Sequence, residues 1–143
     1  MEYRFYGNED CNVSPINEEY AAVGDPRHAY DLLSDIWCRY SCAPRMRDDW
    51  SPQNKTLGQC SITSFLLQDI YGGKVYGIPL EDGSYHCYNV VDGKVFDITS
   101  EQFPGQVLTY DLQNEQFRHE HFASREKEER YEYLRDKLKE KIG

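Results

Sequence analysis

Three residues of the types that build a nucleophilic catalytic site occur in the order cysteine, histidine, aspartate, at Cys60, His86 and Asp97. A cysteine thiolate attacks acyl groups, a histidine accepts the thiol proton, and an acid orients the histidine. Cys60 also begins a predicted helix, whose unpaired N–H groups favour a thiolate and could hold an oxyanion. A cysteine at a helix start is more often a small buried residue, so the chemical reading of Cys60 depends on the other two.

A two-residue Asp-Gly turn at 92–93 sets the register of a predicted hairpin and thereby brings His86 beside Asp97. Opposed residues share a face of the sheet and faces alternate along each strand, so His86 and Asp97 become diagonal neighbours. Asn89, the other candidate partner of His86, points to the opposite face. A bulge or a three-residue loop would move Asp97 to the wrong face. The alternatives without catalysis are that His86 is a structural histidine and that Asp97 is a turn or capping residue.

The helices that must position the cysteine follow from hydrophobic periodicity and capping signals. Asp25 and Pro26 open a first helix, which is predicted to end near Cys42. A loop over 43–58 leads to a second helix, which starts near Gln59 or Cys60 and ends at the glycine pair 72–73. The nucleophile candidate therefore sits at a helix N-terminus.

The remaining pattern alternates, which is typical of strands, and then becomes helical again. The predicted elements are strands over 74–80, 85–91, 94–98 and 107–112, a short helical turn opened by Thr99 with Gln102, and a charged helix over 124–142. Helices followed by an antiparallel sheet predict an α+β fold, with the second helix laid across the sheet. We expect residues 1–24 to form an irregular N-terminal segment and 25–143 a single domain that includes the charged helix.

Composition sets limits on the class of protein. The chain has 143 residues, 39% of them hydrophobic and 29% charged, which is typical of one soluble globular domain. The formal charge of −9 argues against nucleic acid as a partner, because phosphate binding needs clustered lysine and arginine. No apolar run reaches the length of a membrane span, and the first residues show no secretory signal. Five cysteines, an odd number, favour reduced thiols in the cytoplasm.

Several linked motifs resemble the YunG-like family of uncharacterised bacterial proteins. The resemblance spans roughly Tyr30 to Phe103 and groups the chain without implying an activity. The motifs are Trp50-Ser-Pro-Gln-Asn-Lys-Thr-Leu-Gly-Gln-Cys60, Thr63-Ser64, Leu67-Gln-Asp-Ile-Tyr-Gly-Gly73, Asp82-Gly-Ser-Tyr-His86-Cys-Tyr-Asn89 and Asp92-Gly-Lys-Val-Phe-Asp97-Ile-Thr-Ser-Glu-Gln-Phe103.

The cysteine–histidine–aspartate order on a helix start and a sheet also resembles the papain and transglutaminase-like superfamily. That resemblance implies that Cys60 attacks an acyl group, His86 moves the proton and Asp97 orients His86. In the superfamily a position just upstream of the cysteine often stabilises the oxyanion, and Gln59 and Gln53 are both candidates here. The short spacing between the three residues departs from the well-studied members and leaves little chain for specificity loops.

Two aromatic residues are candidates for lining a groove. Trp50, in the loop before the second helix, either roofs a cleft or anchors its loop. Tyr88 lies on a predicted strand and either lines a groove wall or packs on the sheet.

No metal or other cofactor is expected. Cys38 and Cys42 share a face of the predicted first helix, but a structural zinc site usually has two close ligand pairs and only this one exists. His119 and His121 lie far along the chain. The glycine pair 72–73 follows a helix, and phosphate-binding glycines precede one.

The function predicted from these residues is a cysteine-dependent amide hydrolase or acyl transferase with a Cys60-His86-Asp97 triad. Its substrate would be a peptide or small amide, and a basic one would suit residues 1–117, which carry a net charge of −10. The alternative is a non-catalytic protein- or peptide-binding module on the same fold. A redox-sensing thiol pair of Cys60 and Cys87 ranks last, because Cys87 is predicted to face away from His86. The pattern indicates no oligomeric state.

Overall fold

The structure, a computed structural model, describes residues 2–143 and consists of helices packed on a small antiparallel sheet. The helices are α1 (Pro26–Ser34), α2 (Cys60–Tyr71), α3 (Arg118–His121) and α4 (Arg125–Ile142). The strands are β1 (Lys74–Pro79), β2 (Tyr85–Val91), β3 (Lys94–Phe96) and β4 (Glu115–Gln116), in the spatial order β3-β2-β1-β4. Short 3-10 helices cover Glu18–Val23, Pro44–Asp49 and Ser100–Gln102. The predicted α+β architecture is confirmed.

Helix α2 lies on the sheet and is the most deeply buried helix. Its apolar side chains, including Phe65, Leu66 and Ile70, are fully buried in the core. The helix ends at Gly72, whose φ of 80° suits a residue without a Cβ, and the next residue, Gly73, has a φ of 73°. A Cβ at Gly73 would collide with the carbonyl of Val90 on β2. The predicted start and end of this helix are both confirmed.

The hairpin of β2 and β3 has the predicted register. Asn89 is paired with Phe96 and Val91 with Lys94, and the two turn residues at 92–93 have φ values of 51° and 77°. Positive φ at both central residues is what a type I′ turn requires. Strand β3 ends at Phe96, sooner than predicted, and the next residue, Asp97, donates its backbone N–H to Tyr6 O at 2.9 Å.

The first helix is shorter than predicted, since α1 ends at Ser34 and not near Cys42. The chain leaves the helix so that Trp37 can bury its ring, whose Nε1 donates to Thr63 Oγ1 on α2 at 3.0 Å. Cys38 and Cys42 therefore lie in a turn and do not share a helix face.

The strand predicted over 107–112 is absent from the described residues. Val107 is 97% exposed, and Leu112 has a φ of 57°, which no strand residue adopts. This segment is attached by side-chain hydrogen bonds, with Leu112 N donating to the Tyr88 hydroxyl at 3.0 Å. The fourth strand is β4 instead, which pairs with β1, and α3 was not predicted.

The N-terminal segment has little regular structure besides the short 3-10 helix Glu18–Val23. It nevertheless contributes Phe5, Cys11, Tyr20 and Val23 to the same hydrophobic core as α2 and α4.

Helix α4 follows the predicted boundaries closely. The Ser124 side chain caps it by accepting a hydrogen bond from Lys127 N at 3.2 Å. Tyr131, Leu134 and Leu138 on its narrow apolar stripe are buried against the rest of the core. No helix within residues 2–143 is both long and apolar enough to cross a bilayer.

Candidate active site

The nucleophile candidate, Cys60, is the first residue of α2 and is half-buried at the edge of a groove of about 590 Å³. The N–H groups of Cys60 and Ser61 have no intrahelical carbonyl partner, because they belong to the first helical turn. These dipoles favour negative charge at the groove and are suited to a thiolate or an oxyanion.

The base candidate, His86, lies on β2 at the same groove, and its side chain is fully buried. Its Nε2 lies 2.6 Å from Asp97 Oδ2. Its Nδ1 is buried and has no hydrogen-bond partner within residues 2–143. Because Nε2 is engaged by Asp97, Nδ1 is the ring nitrogen left to face Cys60. The ring of Phe103 packs edge-on against the imidazole, with centroids 4.8 Å apart.

The carboxylate of Asp97 is held by four donors. Oδ2 accepts from His86 and, at 2.8 Å, from the Tyr110 hydroxyl. Oδ1 accepts from the backbone N–H and the hydroxyl of Thr99, at 3.2 and 3.3 Å. The carboxylate orientation is thereby fixed on both sides, which in turn fixes the imidazole plane.

The N-terminal segment braces this acid. Tyr6 stacks on Tyr110 with ring centroids 3.9 Å apart, and its backbone carbonyl accepts the Asp97 N–H. Tyr6 N in turn donates to Ser100 Oγ at 2.9 Å. Tyr6 thus supports Asp97 through its backbone and through the ring of Tyr110, and does not contact the carboxylate itself.

The protonation states of the cysteine and the histidine are coupled. Burial opposes a charge on His86, but the Asp97 carboxylate and the Cys60 sulfur outweigh it and raise the His86 pKa to about 10. A hydrogen bond from the Cys87 thiol, helped against burial by His86, holds the pKa of Cys60 well below its usual 9.0. The two shifts act in the same direction and favour a thiolate beside an imidazolium.

Cys87 also lies close to Cys60. Strand alternation directs it to the face opposite His86. Its thiol still interacts with the Cys60 sulfur, and this interaction together with burial raises the Cys87 pKa well above the usual value. The Cys60 sulfur also lies 3.9 Å from the backbone oxygen of Tyr85.

The two glutamine candidates for oxyanion stabilisation do not line the groove. Gln59 is fully buried, and its Nε2 donates to Cys38 O at 3.1 Å. Gln53 is exposed and borders a separate cavity beside Trp37 and Lys55. The backbone N–H groups of α2 are the donors that face the groove instead.

The two aromatic groove candidates also lie elsewhere. Trp50 anchors its loop by donating Nε1 to Lys55 O at 3.0 Å. Tyr88 is fully buried, and its hydroxyl accepts the N–H of Leu112. Of the predicted site residues, the structure brings together Cys60, His86 and Asp97.

Gln102 lines the groove, and sequence reasoning gave it only a capping role. Its Oε1 accepts from Gly58 N at 3.4 Å, and its Nε2 donates to Thr99 O at 3.0 Å. It therefore ties the loop before Cys60 to the segment after Asp97. Its closeness to Asp97 in the chain was the available signal, whereas Tyr110 offered none, because it was placed in a strand that does not form.

The groove also has a wall formed by α3 and α4. His121, Lys127 and Arg130 line it. Within residues 2–143, no three His, Cys, Asp or Glu side chains form a group that could hold a metal ion.

Comparison with known proteins gives the chain its family. The family described as YunG protein matches residues 25–143. The chain is also 31% identical over 109 residues to a protein of Bacillus subtilis strain 168 described as "Uncharacterized protein YunG", a match that covers 76% of this chain and 87% of that protein. No solved structure matches the chain. From the family match and this relative, we conclude that the chain belongs to the YunG family.

Proposed function

We propose that this protein is a cysteine-dependent amide hydrolase or acyl transferase. Cys60 is the nucleophile, His86 the general base and then acid, and Asp97 the group that orients His86. The observation that carries the proposal is the buried His86–Asp97 pair, which leaves the second ring nitrogen unpartnered within the described residues and lines the same open groove as the helix-tip sulfur of Cys60. This arrangement is similar to that of the papain and transglutaminase-like superfamily.

The first half-reaction forms a thioester. The Cys60 thiolate attacks the carbonyl carbon of the amide, and the resulting oxyanion is stabilised by the N–H groups at the start of α2. The His86 imidazolium then donates its proton to the amide nitrogen. The carbon–nitrogen bond breaks and the amine leaves, which leaves an acyl group on the Cys60 sulfur and a neutral imidazole.

The second half-reaction releases the acyl group. The neutral His86 takes a proton from water in a hydrolase, or from an amine in a transferase. The oxygen or nitrogen attacks the thioester carbon, and the carbon–sulfur bond breaks. The thiolate and the imidazolium are restored, with Asp97 keeping Nε2 in place throughout.

The chemistry needs Cys60 as a free thiolate. All five cysteines are unpaired in the structure, which suits a reducing compartment such as the cytoplasm. Because a thiolate is the reactive form, its presence at neutral pH is the first thing to test.

The test is selective alkylation followed by an activity screen. Iodoacetamide at pH 7 should label Cys60 faster than Cys38, which is also half-buried and serves as the internal comparison. A library of fluorogenic peptide amides should then show turnover that Cys60→Ala and Asp97→Asn lose. If Cys60 reacts no faster than Cys38, the proposed function is wrong. Full rescue of a knockout phenotype by Cys60→Ala would instead favour the non-catalytic binding module.

A further inference from the structure

A hydrogen-bonded chain of three side chains, those of Lys127, His121 and Gln116, lies at the wall of the Cys60 groove. Lys127, in the first turn of α4, donates from Nζ to His121 Nδ1 at 3.0 Å. His121 Nε2 donates to Gln116 Oε1 on β4 at 2.8 Å, and Gln116 Nε2 donates to Asn114 O at 2.8 Å. The ammonium is therefore connected through hydrogen bonds to the edge of the sheet.

The chain has a defined protonation state. Burial, together with the Lys127 charge, lowers the pKa of His121 to about 4, so the imidazole is neutral at physiological pH. A neutral imidazole that donates from Nε2 presents Nδ1 as an acceptor. His121 thus orients Lys127 without neutralising its charge.

Lys127 differs from the other cations of the groove because it lacks an acidic partner. Arg130 pairs with Glu126 at 2.5 Å, and Arg45 pairs with Asp82 at 3.4 Å. Among residues 2–143 no carboxylate forms a salt bridge with the half-buried Lys127. A partly desolvated, unpaired ammonium costs free energy, which an anionic group in the groove would recover.

The lysine and the nucleophile belong to the same groove. Burial lowers the pKa of Lys127, and the charges of Cys87 and Cys60 partly offset that effect. The ammonium therefore interacts electrostatically with the Cys60 sulfur. The volume of about 590 Å³ suits a small molecule or a few residues of a peptide. The acidic Glu120 also borders the groove, but it is exposed at the surface.

We propose that Lys127 binds a carboxylate of the substrate, so that the protein acts on amides that carry a carboxylate close to the scissile bond. The inference rests on the proposed function of Cys60 and names its substrate class. It also departs from the basic substrate that the net charge of the chain suggested, because the half-buried charge that lacks a salt-bridge partner at the groove, among the residues described, is positive.

The experiment compares two alkylating reagents of the same size, iodoacetate and iodoacetamide, which differ in charge. Both need the Cys60 thiolate, so the ratio of their rate constants cancels any change in the Cys60 pKa. Lys127→Gln should lower the iodoacetate-to-iodoacetamide ratio at Cys60 by roughly three- to tenfold, through loss of one nearby positive charge. Lys127→Arg should keep most of the ratio. Lys137→Gln, on the outer part of α4 and paired with Glu140, should leave it unchanged.

A second measurement uses the unaltered protein. Succinate should slow the labelling of Cys60 by iodoacetamide, whereas succinamide, its uncharged analogue, should not. The protection should disappear in Lys127→Gln, whose fold is checked by circular dichroism.

The outcomes separate this inference from the proposed function. If Cys60 labels rapidly but Lys127→Gln slows both reagents equally, Lys127 acts on the thiolate and the carboxylate proposal is overturned. Equal protection by succinate and succinamide, or none from either, overturns it as well. If Cys60 is no more reactive than Cys38, the proposed function fails first and this inference fails with it.

Discussion

His86 has one ring nitrogen committed to Asp97 and the other left for the sulfur, and this division of roles sets the chemistry of the site. A histidine with an orienting acid is held in one tautomer and one plane, which a solvent-exposed histidine is not. The pairing at 2.6 Å follows from the hairpin register, because His86 and Asp97 are diagonal neighbours across β2 and the end of β3. This part of the site could be predicted from the length of one turn.

The role of His86 can be measured through the thiol it stabilises. His86→Ala should raise the pKa of Cys60 towards 9.0, since the nearby imidazole and its positive charge lower that pKa. The rate of iodoacetamide labelling at pH 7 should then fall, by about tenfold for each unit by which the Cys60 pKa comes to exceed 7. The measurement is labelling rate against pH from 5 to 9. A variant whose profile overlies that of the wild type would contradict the proposed ion pair.

Tyr110 should act as a positioning residue for Asp97. Tyr110→Phe removes one hydrogen bond to the Asp97 carboxylate, at a cost of about 0.5–1.5 kcal/mol in the free energy of unfolding. It should also slow alkylation of Cys60, because the imidazole loses part of its orientation. Tyr3→Phe is a matched control, since it removes a tyrosine–aspartate bond to Asp31 away from the groove. Equal labelling rates in the two variants would leave Tyr110 with a purely structural role.

At the scale of elements, the irregular N-terminal segment behaves as part of the site. It buries Phe5 in the core and places the next residue, Tyr6, against both the backbone of Asp97 and the ring of Tyr110. Sequence patterns found this segment irregular, which is correct for its backbone. They could not show its packing, because irregular chain has no period from which a buried face can be read.

The contribution of this segment should appear as a large stability loss at one residue. Phe5→Ala should lower the free energy of unfolding by about 3–5 kcal/mol, because a fully buried aromatic ring leaves a cavity. Ile16→Ala, in the same segment but 65% exposed, should change it by less than about 0.5 kcal/mol. Urea denaturation measures both. Similar values for the two variants would show that the segment does not pack as described.

At the scale of the whole molecule, the thiolate and the imidazolium link folding to pH with opposite signs. His86, whose folded pKa is raised, contributes stability that is full below 6.5 and is lost as pH rises towards 10. Cys60, whose folded pKa is lowered, contributes stability that is full above 9.0 and is lost as pH falls through its folded pKa. Between 6.5 and 9.0 the folded and unfolded chains hold the same number of protons on this pair, so the two slopes cancel.

Removing the Cys60 thiol should reveal how His86 alone makes the free energy of unfolding depend on pH. Relative to wild type, Cys60→Ala should lose up to about 1.4 kcal/mol of unfolding free energy per pH unit above pH 6.5, because His86 still gains a proton on folding through Asp97. Urea denaturation at pH 6.5, 7.5 and 8.5 gives the difference between the two proteins. Ser61→Ala, which removes no titrating group, should show the same dependence of unfolding free energy on pH as the wild type. If Cys60→Ala showed the same pH dependence as the wild type, the ion pair between Cys60 and His86 would be ruled out.

The sequence by itself determined the features that depend on neighbouring residues. These are the β2–β3 register, set by the turn at 92–93, the helix that starts at Cys60, and the capped helix α4. Local geometry suffices for them, since turn length, capping and periodicity act within a few residues.

Only the tertiary structure decided which distant residues meet at the groove. Tyr6 and Tyr110 reach Asp97, Cys87 reaches the nucleophile, and Lys127 is held at the groove by His121. These contacts join segments that are far apart in the chain. Their distances are set by the packing of whole elements against one core, and no period or turn in the sequence encodes that packing.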